Sequence, residues 1–279
     1  MNIRISIISL VLASISVSSR LPAQLLPADT AWVENTLKHM TLDEQIGQLF
    51  MPVHRDVAKT TEWIKNCNIG GIWFARTEAR KIAEELNTLQ LTSKYPLLVS
   101  ADFEKGAGTY VDGATDLPFN MGLGATRDPR IVYRSAALTA KEAKAMGVHI
   151  VFAPVLDVNN NPKNPVINAR SFGENAEMVA TLGVAAINGY QDNGILATGK
   201  HFPGHGNTRI DTHAKLGIIE STSEEFESIE LLPYKKVLRE AKPSAIMSAH
   251  LLVKSIDIYT LTATLSNKVM TGLLRQRLG

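Results

Sequence analysis

A single cysteine, Cys67, stands in a chain of 279 residues. That excludes an internal disulfide and any metal site built from several cysteines. Set in "KNCNIGG", the lone thiol reads as a small buried hydrophobe. Charge of one sign is also scarce. The formal net charge is +2 and no stretch gathers Lys and Arg on one face, so the footprint of a nucleic-acid binder is missing. No G-x-G-x-x-G follows an early strand, as a dinucleotide fold would require. The glycines of "ATGKHFPGHG" follow a late strand with the wrong spacing, and G-H-G lacks the G-K-[ST] ending of a phosphate loop. No low-complexity or proline-rich linker divides the chain, so one domain is the simplest organisation. What remains, 45% hydrophobic and 20% charged residues, is ordinary for a soluble globular protein.

The long apolar runs are short too, except at the start. "MNIRISIISLVLASISVSSRLPAQ" places Arg4 before an apolar, serine-dotted run from Ile5 to Val17, followed by small residues and Pro22-Ala23. Residues 1–23 read as a secretory signal peptide, too short for a comfortable membrane span, with cleavage between Ser18 and Gln24. No cysteine follows the run, which argues against a lipoprotein anchor; an uncleaved N-terminal anchor is the competing reading. The expectation is export to the periplasm or the exterior, with residues 24–279 forming the folded domain.

Along that domain, short apolar runs alternate with helical periods. Strands are expected near Gln48–Pro52 and over 69–75, 96–104, 148–158, 195–202 and 244–253. Helices are expected over 77–93, 128–147, 174–194, 221–241 and 265–279. Pro129 opens one helix and Gly147 closes it, as helix ends prefer. Strands apolar on both faces and alternating with helices indicate a parallel α/β fold. Polar residues end many strands: Asp102 and Glu104, Asp157, Lys200 and His201, Ser248 and His250. A (β/α) barrel places its site there.

The densest chemistry lies in "GKHFPGHGNTRIDTHAKL", Gly199 to Leu216. Pro203, Gly204 and Gly206 prevent a helix, so 203–213 is a loop. Asp211 and His213 stand two apart; in extended chain they share a side, where the carboxylate can orient the imidazole. Histidine titrates near neutrality, at about 6.5, which suits proton transfer. A zinc site from His201, His205 and His213 fits no helical zinc spacing, and Lys200 would oppose a cation. His205, between two glycines, reads as a residue that fixes the turn.

"KHFPGHG" followed by "DTH" resembles glycoside hydrolase family 3, in particular its bacterial β-N-acetylglucosaminidase branch, K-H-F-P-G-H-G-(x)4-D-[ST]-H. "MTLDEQIGQLFM", "IGGIWFA", "SADFEKGAG", "FAPVLDVNNNPKNPVINARSFGEN" and "IMSAHLLV" resemble further family segments in the family's order, so the likeness spans residues 30–279. The resemblance implies a TIM-type (β/α) barrel without cofactor or metal, acting on a carbohydrate containing N-acetylglucosamine. It implies that Asp102 accepts hydrogen bonds from sugar hydroxyls, and that Arg170, Lys200 and His201 donate to the same sugar. His213 would act as general acid and then base, held by Asp211. Competing readings make Asp102 a helix cap and Arg170 a structural ion-pair partner.

The chain departs from the family pattern twice. "DFEKGAGTYV" lacks the second glycine and the arginine of D-x-E-G-G-R, with Lys105 and Tyr110 as substitutes. The family's nucleophilic aspartate, in an [ST]-D strand after the helix resembling "LLRQRLG", has no counterpart before Gly279; neither Asp116 nor Asp257 has the matching context. Retaining hydrolysis needs two groups in opposite roles, roughly 5 Å apart when both are carboxylates. The expectation is therefore a piece of a longer enzyme, about six of eight barrel strands, poorly stable and inactive in hydrolysis by itself. The alternatives are a non-catalytic sugar-binding remnant and a β-glucosidase or phosphorylase of the same family.

Overall fold

The computed structural model describes residues 27–212, 215–256 and 261–279. The signal-peptide reading of residues 1–23, His213 and Asp257 lie outside the described residues. The described residues up to Thr41 fall in one unit and those from Leu42 to Gly279 in a second. The first contains a helix over Pro27–His39; the second holds the sheet described next. No helix among the described residues is long and apolar enough to cross a membrane.

Six strands pair in parallel: β1 (Val53–His54), β2 (Gly71–Phe74), β3 (Leu98–Ala101), β4 (Ile150–Val151), β5 (Leu196–Phe202) and β6 (Ala245–Ser248). Their order in the sheet is their order in the chain. Each crossover contains a helix: α1 (Val57–Cys67), α2 (Ala79–Thr92), α3 (Pro129–Ala145), α4 (Ala176–Gln191) and α5 (Leu232–Glu240). A doubly wound nucleotide-binding sheet reverses its strand order at a switch point. This sheet never reverses, which is the winding of a (β/α) barrel. Among the described residues no pairing joins β6 to β1.

The strands are apolar because helices cover them. Ile72, Val99, Ala101, Val151 and Ala197 are fully buried in one core with Leu89 of α2, Val179 and Leu182 of α4, and Tyr234 and Val237 of α5. Phe202 meets the Tyr234 ring edge-on at 5.1 Å. Helix ends follow their local chemistry. The Asp128 carboxylate accepts from the Arg130 N–H ahead of Pro129, and Asn175 accepts from the Met178 N–H. Gly147 and Gly194 leave α3 and α4 with φ of 85° and 82°, a conformation glycine tolerates best.

Several expectations need correction. The strand expected at Gln48–Pro52 begins after it, at Val53; Pro52 has no N–H to give the ladder, although its carbonyl accepts from the Trp73 N–H at 3.0 Å. The strand expected over 148–158 is regular only at Ile150–Val151, because Pro154 interrupts it; pairing resumes at Val155, opposite Lys200. The segment 244–253 is two strands, the second (Leu251–Val253) pairing with Gly217–Ile219. The α1 helix was missed although Asp56 caps it and Val57, Ile64 and Cys67 repeat at helical spacing. Cys67, expected to be buried, is exposed at the end of α1.

Candidate active site

The C-terminal ends of β3, β4, β5 and β6 meet at one cleft of about 540 Å³, lined by Asp102, Glu104, Tyr110, Arg170, Lys200, His201 and Met247 among others. Its floor is Lys200. The residue lies on β5, is 2% exposed, and its ammonium contacts Asp102 Oδ1 at 2.5 Å and Glu104 Oε1 at 2.6 Å. A buried ammonium without such partners would lose its charge or leave the site. Glu104 also receives the Arg170 guanidinium bidentately, Nε to Oε2 at 2.8 Å and Nη2 to Oε1 at 2.7 Å. Burial alone would raise the Glu104 carboxyl, but Arg170 and Lys200 outweigh it and hold the group at about 2.

Behind His201 sits Asp157, with no exposed side-chain surface. Its Oδ2 is 2.7 Å from His201 Nδ1, and its Oδ1 accepts the His205 backbone N–H at 2.6 Å. Burial disfavours charge on Asp157, yet the two histidines keep it ionised, below the usual carboxylate range. Burial depresses the His201 imidazole, against the pull of Asp157, and Lys200 and Arg170 lower it further. A neutral ring facing an acceptor-only carboxylate carries its proton on Nδ1. Its Nε2 is then an acceptor, 3.4 Å from Arg170 Nη2. The resemblance implies that His201 donates to the sugar; with Nδ1 committed to Asp157, that contact would fall to Nε2.

Half-buried Tyr110 closes one side, its ring edge-on to Trp73 at 6.2 Å. Burial, with Asp102 and Glu104 nearby, raises its phenol and keeps the hydroxyl a donor. Lys105, itself on the cleft lining, pairs with Asp116 and lies 5.3 Å over the Phe119 ring.

The loop after β5 packs against the same walls. A Cβ on Gly206 would come within 1.7 Å of the Val158 carbonyl oxygen, so only glycine lets the loop lie there. Asn164 Nδ2 donates to the carbonyls of His205 and Gly206 at 2.8 and 2.9 Å. From the other side Asn207 donates to Ser221, which donates to the buried Glu230 at 2.6 Å. Glu230 ends a π-helical turn, Phe226–Glu230, just before α5. His205 is itself buried, with Thr208 and Thr212 hydroxyls on its two ring nitrogens, consistent with its reading as the residue that fixes the turn.

Of the predicted site residues, Asp102, Arg170, Lys200 and His201 therefore meet in one cleft. Asp102 caps no helix; it holds Lys200. Arg170 is at once an ion-pair partner and a cleft wall. Asp211 lies on the adjoining loop, where its carbonyl accepts from the Lys215 N–H; His213 lies outside the described residues. Glu104 and Asp157 received no role from the sequence beyond ending strands, yet they carry the counter-charge of the site together with Asp102.

The N-terminal domain of glycosyl hydrolase family 3 matches residues 41–279, so the chain belongs to that family. It is similar to a β-N-acetylglucosaminidase/β-glucosidase of Cellulomonas fimi, at 32% identity over 89% of this chain and 46% of the relative. Among solved structures it resembles a family 3 β-N-acetylglucosaminidase of Paenibacillus sp. str. FPU-7, with TM-score 0.83, 39% identity, and coverage of 86% of this chain and 48% of that one. It also resembles a β-glucoside phosphorylase, with TM-score 0.86 and 27% identity over 91% of this chain and 48% of that one. The chain thus spans about half the length of each of these proteins.

Proposed function

We propose that the cleft binds a terminal β-linked N-acetylglucosamine and that the protein serves its removal from cell-wall or chitin-like glycans after export through residues 1–23. One observation carries this reading. A partly exposed carboxylate, Asp102, is held in place by a lysine that is 2% exposed, beside an arginine fixed by its own carboxylate. Fixed donors and acceptors at strand ends are what a polyhydroxylated ring needs, since they are oriented before it arrives. Asp102 would accept from two hydroxyls, while Lys200, Arg170 and Tyr110 donate.

His213 is the proposed proton donor to the glycosidic oxygen, and afterwards the base that takes a proton from the incoming acceptor, with Asp211 orienting its ring. The cleft carboxylates are already committed, Asp102 to Lys200 and Glu104 to Arg170 and Lys200, as is Asp157 behind them to His201, and none is assigned the nucleophile's role. The strand order supports taking β1–β6 as consecutive strands of a TIM-type barrel within a domain spanning residues 24–279.

The gene-encoded protein is to be assayed on 4-nitrophenyl N-acetyl-β-glucosaminide with and without inorganic phosphate, with N-acetylglucosamine affinity measured by calorimetry. The expected result is binding of N-acetylglucosamine well above glucose, abolished by Lys200→Met. Equal affinity for the two sugars would overturn the substrate assignment. The likeness to a phosphorylase favours one second reading, in which phosphate is the acceptor; sugar phosphate formed only when phosphate is present would establish it. Binding without turnover under either condition would leave a sugar-binding module.

A further inference from the structure

We infer that His205 is a positioning residue for the proton-transfer pair, acting as a latch on Thr212, the residue between Asp211 and His213. The inference rests on the proposed role of that pair and goes beyond it, because His205 stands behind the cleft wall and does not line the cleft.

The latch is built from both ends. At its base, the His205 backbone N–H is fixed by Asp157 Oδ1, while Oδ2 of the same carboxylate fixes His201. The two imidazoles stand edge-to-face with centroids 6.0 Å apart. One buried carboxylate therefore sets both the cleft wall and the loop anchor. On the ring, Nδ1 lies 2.8 Å from Thr208 Oγ1 and Nε2 lies 2.7 Å from Thr212 Oγ1. Thr208 also donates to the His205 carbonyl at 3.0 Å. Its hydrogen being used there, Nδ1 supplies the proton to Thr208 and Nε2 accepts from the Thr212 hydroxyl.

The ring has no freedom to choose another partner. His205 is 2% exposed, and Asn164 clamps its carbonyl and that of Gly206. Thr212 is held on its far side as well: a Cβ at Gly217 would stand 2.8 Å from the Thr212 methyl. A bond at Thr212 restrains the loop beside Asp211. Proton transfer loses rate steeply when the donor is displaced by even 1 Å, so a tether adjacent to both members of the pair is where positioning has most effect.

The test uses the gene-encoded protein with Thr212→Val, which keeps shape and removes the hydroxyl, with Thr212→Ser as the conservative rescue, and with His205→Gln. Two β-N-acetylglucosaminides are compared, one with a 4-nitrophenol leaving group and one with a simple alkyl alcohol. A poor leaving group depends on the proton donor and an activated one hardly does. The expected result is a fall in kcat/KM, which reads only the steps through departure of the first alcohol, of about tenfold or more on the alkyl glycoside, a much smaller fall on the nitrophenyl glycoside, and recovery in Thr212→Ser. Equal losses on both substrates, or none, would overturn the latch. Failure of the wild-type protein to cleave either glycoside speaks against the proposed function, not the latch. In that event hydrogen exchange decides: Thr212→Val should speed exchange in residues 207–216 severalfold with sugar affinity unchanged, and unaltered exchange there would refute the latch by itself.

Discussion

At the scale of single residues, the site is a charge-balancing arrangement around one ammonium. Lys200 reaches two carboxylates, and one of these, Glu104, also takes both arms of Arg170. Removing one partner of a buried ion pair leaves an uncompensated charge, which is far more damaging than replacing the whole set. Glu104→Gln is therefore expected to cost about 3 kcal/mol of stability and to loosen Arg170, seen as a lower urea midpoint together with weaker sugar binding. A variant with wild-type midpoint and wild-type affinity would show that Glu104 is dispensable. Lys200 and His201 were legible in the sequence because they sit in one contiguous motif. Glu104 and Asp157 were not, because their roles are defined by partners 66 and 44 residues away, a proximity no linear spacing encodes.

At the scale of elements, helix caps and glycine contacts position the loops that carry the chemistry. Asn175 accepts the Met178 N–H at 2.9 Å at the start of α4, so Asn175→Ala should cost about 1 kcal/mol without altering sugar affinity, by denaturation and calorimetry in parallel. Gly206 is different in kind, since its missing Cβ is the space occupied by the Val158 carbonyl. Gly206→Ala forces the loop off its wall and is expected to cost about 1–3 kcal/mol and to abolish turnover while leaving N-acetylglucosamine binding in the cleft. Retained turnover would mean that the loop can work from another position. The helix α2 was readable from its period, and α3 and α4 from period and helix-end residues. The shortened β4 and the split of 244–253 were not, because apolar runs show burial but not where the ladder breaks.

At the scale of the whole molecule, buried ionised groups couple folding to pH. The Glu104 carboxyl is held at about 2 against an ordinary 4.5. A depressed carboxyl contributes stability that is full above the unfolded value and lost as pH falls through the folded one. Stability should thus decline between about pH 4.5 and 2. His201, lowered mainly by burial, adds in the same sense, since the unfolded chain binds its proton first. Urea midpoints at pH 7, 4 and 3 should fall in that order, and the acid decline should flatten in Glu104→Gln. An identical decline in the variant would assign the acid sensitivity elsewhere.

The sequence by itself determined the family, the parallel alternation of strands and helices, and the identity of four cleft residues. These are properties of local pattern: apolar period, helix-end chemistry and one uninterrupted motif. Only the tertiary structure decided that the sheet winds without reversal, that His201 pairs with Asp157, and that the His205 ring reaches Thr212. Each of those depends on which groups separated in the chain come within hydrogen-bonding reach, and on burial, which together set where a proton resides and whether a charge can persist.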